Sequence, residues 1–79
     1  MTNGAAYDQP ARYRIRVQGA LDPEWSAWFG GLEIVPQAGG ETLLAGPVQD
    51  QAALHGLLVT IRNLGLPLIS VLRETEDEL

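Results

Sequence analysis

The 79-residue chain has no cysteine, no lysine and a single histidine. Without cysteine there are no disulfides, no thiolate metal sites and no thiol nucleophile. One histidine removes the usual basis of a zinc site, so neither a metal nor a cofactor is expected. Five arginines stand against ten acidic residues, a formal net charge of −5. That balance argues against general affinity for nucleic acid or an anionic membrane, both of which need clustered positive charge. The most apolar stretch, Leu64 to Leu72, is too short for a membrane span and is interrupted by Pro67. The first ten residues have neither a basic start nor an apolar segment, so they do not read as a secretory signal and a cytoplasmic location is the expectation. Aromatic residues number five, too sparse in the strand segments for the base-stacking platform of an RNA-binding sheet.

What is present is organised around Asp50 to Val71. Asp50 is a helix N-cap, its carboxylate placed to accept from the free N–H groups of the first turn. Leu54, Leu57, Leu58, Ile61 and Leu64 follow at three- and four-residue spacing and share one helical face. Gly65 stops the helix and Pro67 prevents its continuation. Leu68 to Arg73 then reads as a strand.

Upstream, Tyr13 to Gln18 alternates apolar and polar residues, the pattern of a strand with one buried face. Ile15 and Val17 are expected inside, with Arg14, Arg16 and Gln18 outside. Asp22, Pro23 and Glu24 form a helix start and Gly30 a stop, which predicts about two turns of helix. Leu21, Trp25, Trp28, Phe29 and Leu32 are its apolar side. Leu32 to Pro36 and Glu41 to Ala45 are short strands joined as a hairpin through Gln37 to Gly40, with Gly46-Pro47 ending the second.

The order strand, helix, strand, strand, helix, strand repeats one split βαβ pattern twice. It predicts an α+β fold, a ferredoxin-like βαββαβ sandwich with a four-stranded antiparallel sheet and two helices on one face. Residues 1–11 read as a flexible tail, 12–73 as the domain and 74–79 as an acidic tail.

The sheet face without helices should be polar in such a sandwich. Only the first strand obeys. Leu43, Leu44 and Val35, with the last strand, leave aliphatic side chains on that face whichever register holds. An apolar patch containing arginines is typical of an interface, and a core this small gains from a partner. The main expectation is a non-enzymatic interaction module, a homodimer through its sheet or a binder of another protein, with Arg14 and Arg16 pairing with Glu33 or Glu41 of either chain. Trp25 and Trp28 are candidate partner anchors, although two tryptophans in so short a chain more often belong to the core.

Two other functions compete. A small anionic metabolite held by Arg14 and Arg16 at a dimer interface would make the chain a ligand sensor. A dimeric α+β barrel enzyme would use His55 as acid or base, but no orienting carboxylate and no nucleophile are placed beside it, and a surface histidine is the simpler reading. The chain leans away from catalysis.

The runs Tyr13-Arg-Ile-Arg-Val-Gln-Gly19, Trp28-Phe-Gly-Gly-Leu-Glu-Ile34, Thr42-Leu-Leu-Ala-Gly-Pro-Val48 and Asp50-Gln-Ala-Ala-Leu-His-Gly-Leu-Leu58, with Leu64-Gly-Leu-Pro-Leu68, resemble a group of short uncharacterised bacterial proteins of actinobacterial type. That resemblance implies no catalytic residues. In topology the chain is also similar to ACT-type regulatory domains, which implies small-molecule binding at a dimer interface; their glycine-rich ligand loop has only Gly19 to Pro23 as its counterpart.

Overall fold

The computed structural model describes residues 10–74, so all but residues 10 and 11 of the expected tail 1–11, and all but Glu74 of the expected acidic tail 74–79, lie outside the described residues. Four strands form one antiparallel sheet: β1 (Ala11–Gln18), β2 (Glu33–Pro36), β3 (Glu41–Val48) and β4 (Leu68–Glu74), in the order β2-β3-β1-β4. One α-helix, α1 (Gln51–Asn63), connects β3 to β4. Between β1 and β2 the chain makes a 3₁₀ segment, Pro23–Phe29, and a shorter 3₁₀ turn, Ala38–Gly40, closes the β2–β3 hairpin.

The α-helical crossover has the predicted punctuation. Asp50 accepts from the Ala53 N–H at 2.8 Å. At the other end the Leu66 N–H reaches back to the Ile61 carbonyl and the Gly65 N–H to that of Arg62. Gly65 adopts φ +76° to make that reversal, a conformation costly for a residue with a Cβ. Leu54, Leu57 and Ile61 are buried, whereas Leu58 is half-buried and Leu64 exposed, so the apolar face is narrower than the five-residue stripe predicted.

The first crossover departs from expectation: it is a 3₁₀ segment rather than an α-helix. Asp22 caps it through the Glu24 N–H at 2.9 Å, and the left-handed Gly30 ends it. Seven residues leave little room to recover the cost of nucleating an α-helix. The change of period rearranges the side chains. At 3.0 residues per turn, positions three apart eclipse one another, so Trp25 and Trp28 stack on one side, with ring centroids 5.8 Å apart. Phe29 goes to the other side and is fully buried. Both tryptophans are exposed, Trp28 at 70%, which corrects their placement in the core.

One cluster holds the molecule together: Tyr13, Ile15 and Val17 of β1, Ile34 of β2, Leu44 and Val48 of β3, Leu21, Phe29 and Leu32 around the first crossover, and Leu54, Leu57 and Ile61 of α1. Both crossovers therefore cover the same sheet face. β3 runs on through Gly46 and Pro47 to Val48 instead of stopping at Ala45. The continuation is tolerated because Pro47 faces Arg12 on one side and has no β2 residue on the other, so no sheet hydrogen bond requires its missing N–H. Gly46, at φ +151°, lets Leu32 pack where a Cβ would lie 2.9 Å from its Cδ2. Thr42, the one buried polar residue among the described residues, is satisfied by donating its hydroxyl proton to the Gly19 carbonyl at 2.6 Å.

Candidate functional site

The strand registers fix the sheet face opposite the helix. Val35, Leu43, Arg16 and Ser70 form one row across it; Glu33, Ala45, Arg14 and Leu72 form the next; Pro47, Arg12 and Glu74 form the third. Alternation along β1 is strict, with Tyr13, Ile15 and Val17 buried beneath the helix and Arg12, Arg14, Arg16 and Gln18 exposed on this open face.

Of the residues predicted to form a surface here, Arg14, Arg16, Glu33, Val35 and Leu43 share the open face, where Leu43 is itself buried beneath its neighbours and Val35 is half-buried. Leu44 does not: it pairs with Ile15 on the opposite side and is fully buried in the core, which removes it from the candidate surface. The ambiguity was inherent in the sequence, because Leu43 and Leu44 are adjacent and a shift of one residue exchanges their faces.

The arginines are engaged by carboxylates. Arg16 bonds to Glu41. Arg12 and Arg14 both reach Glu74, at 3.5 and 3.7 Å. Glu33 lies two strands from Arg14, with Ala45 between them. Three guanidinium groups thus share a face with three carboxylates, Glu33, Glu41 and Glu74, and little positive charge is left over for an anion. Glu74 was assigned to the acidic tail on sequence, yet it closes β4 against Arg12 and is the ion-pair partner that sequence reasoning missed.

Beside this face lies β4, where the pattern of burial changes. Leu68, Ile69, Val71 and Leu72 are all at least 37% exposed. Val71 pairs with the fully buried Ile15 and lies on the helix side of the sheet, but the helical layer does not cover it. β4 has aliphatic side chains open to solvent on both faces, and its outer edge carries no neighbouring strand among the described residues.

On the helical side, a groove of about 440 Å³ runs between the first crossover and α1, lined by residues that include Trp28, Phe29, Pro47, Val48 and Leu57. His55 is exposed on α1 and does not line it. Among the described residues no cluster of three or more His, Cys, Asp or Glu is arranged to hold a metal ion, and no helix is long and apolar enough to cross a membrane. Among the described residues the geometry brings together no nucleophile, base and orienting group.

Residues 12–72 match a domain of unknown function, DUF8691. No curated protein and no solved structure matches the chain.

Proposed function

We propose that this chain, which belongs to the DUF8691 family, is a small cytoplasmic, non-enzymatic interaction module that associates with a second copy of itself through its sheet. The strand order and directions support a ferredoxin-like topology in which the first helix is reduced to a 3₁₀ segment. The observation that carries the reading is β4, whose aliphatic side chains stay exposed on both faces of the sheet, beside an edge that has no neighbouring strand among the described residues. A monomer gains nothing from four such residues in one strand, whereas an interface buries them. The partner is a protein surface rather than a small anion, because Arg12, Arg14 and Arg16 already face their own carboxylates.

Sedimentation or light scattering across a dilution series tests this directly. The wild-type chain is expected to have twice its 8.5 kDa mass at high concentration and to dissociate on dilution. A mass of one chain at every concentration would overturn the proposal.

A further inference from the structure

Deepening the self-association reading and resting on it, we infer that two copies stack open face on open face about a two-fold axis parallel to the strands, so that Arg14 of each chain pairs with the partner's Glu33. The distribution of charge over the face leads to this arrangement. Both crossovers cover the other side of the sheet, and among the described residues no helical element lies over this one. On the open face, the β2–β3 half carries Glu33 and Glu41 and no base, whereas the β1–β4 half carries Arg12, Arg14 and Arg16 against one acid, Glu74. The first half is doubly negative and the second doubly positive. Only part of this is neutralised within the chain. Arg16 takes Glu41, but Arg12 and Arg14 share the carboxylate of Glu74, which Arg14 meets at 3.7 Å with its side chain 49% exposed. Glu33 makes no ion pair among the described residues. The arginine of its row, Arg14, lies two strand spacings away across Ala45, roughly 10 Å. Each chain thus has a guanidinium short of a carboxylate and a carboxylate short of a guanidinium.

Two identical sheets packed face to face, about 10 Å apart, are related by a two-fold axis lying between them. Charge separates the two limiting directions of that axis. An axis across the strands lays every strand on its own copy and sets the three arginines of β1 against three arginines, a repulsive contact. An axis along the strands exchanges the halves instead: β1 lies on the partner's β3 and β4 on the partner's β2. Arg14 then stands over the partner's Ala45, whose short side chain leaves room for the guanidinium to reach the partner's Glu33, one strand spacing to the side. The symmetry makes that pair twice. Leu72, 58% exposed in the single chain, is covered by the partner's β2. An offset of about 30° between the sheets, usual in aligned packing, is too small to convert one arrangement into the other.

Charge reversal in the full chain tests the pairing. Arg14→Glu and Glu33→Arg, each at an exposed position, set like charges against each other at both copies of the contact. Each variant alone is expected to associate at least roughly tenfold more weakly than the wild type by sedimentation, with native circular dichroism retained. Mixed in equal amounts, the two are expected to regain wild-type affinity as a heterodimer visible by native mass spectrometry, because one contact is then native and the other reversed. Pairing within a single chain could not produce that recovery. Salt gives a second readout that needs no variant: the wild-type dimer is expected to dissociate several-fold more readily in about 1 M salt than in about 0.05 M. If the wild type is a dimer but the reversals leave its affinity unchanged, or mixing restores nothing, the stacking is wrong and self-association stands. A dimer indifferent to salt would likewise overturn the stacking alone. A wild-type monomer at every concentration would overturn both.

Discussion

The two edges of the sheet are managed in opposite ways. β2 is four residues long, ends in Pro36 and buries Ile34 in the core beside the first crossover. A short strand closed by proline offers little template for another chain, the usual way in which proteins blunt an edge. β4 is seven residues long, has no proline, and presents Leu68, Ile69, Val71 and Leu72 to solvent. The contrast between a short edge closed by proline and a long apolar one is the ground on which the proposed self-association rests. The comparison also shows why hydrophobicity alone does not locate a core: Ile34 and Val71 are both β-branched residues of edge strands, and only the first has a layer above it.

Truncation at the two edges sharpens that contrast most. Ile34→Ala is expected to lower unfolding free energy by about 2–5 kcal/mol, read from urea denaturation of dilute protein. Val71→Ala under the same conditions should cost less than about 1 kcal/mol, because much of its surface is already in water; equal losses would erase the distinction between the edges. Next in size is Gly46→Ala, which drives a methyl group into Leu32 at the start of the closed edge and should cost about 1–3 kcal/mol, measured as a fall in the urea midpoint. Asp50→Ala, at the start of the helix that leads to the open edge, removes the bond to the Ala53 N–H and should cost about 1 kcal/mol, with lower helical ellipticity near the melting temperature. The smallest effect is expected between the edges, where Arg16→Ala breaks the exposed pair with Glu41. It should cost about 0–1 kcal/mol, diminishing in 1 M salt.

The two crossovers show where local signals suffice. Asp50, the Leu54, Leu57 and Ile61 spacing and Gly65 describe a helix that forms as read, because thirteen residues present a whole apolar stripe to the sheet. Asp22, Pro23 and Gly30 delimit the first crossover just as well, but delimiting a segment does not choose its helical period. The 3₁₀ turn of that short stretch sends Phe29 inward and both tryptophans outward, which the 3.6-residue wheel could not foresee. Trp25 and Trp28 therefore stay candidate anchors on the helical side, opposite the arginine face.

The sequence by itself determined the number and order of the four strands among the described residues, the buried side of β1, the capped helix and the exclusion of thiol chemistry, because each follows from alternation, spacing or composition within a few residues. Only the tertiary structure decided which of Leu43 and Leu44 lies in the core, that Arg12, Arg14 and Glu74 form one cluster, and that β4 lies uncovered. Those outcomes depend on strand register and on how far the helical layer extends, both set by packing between segments distant in the chain.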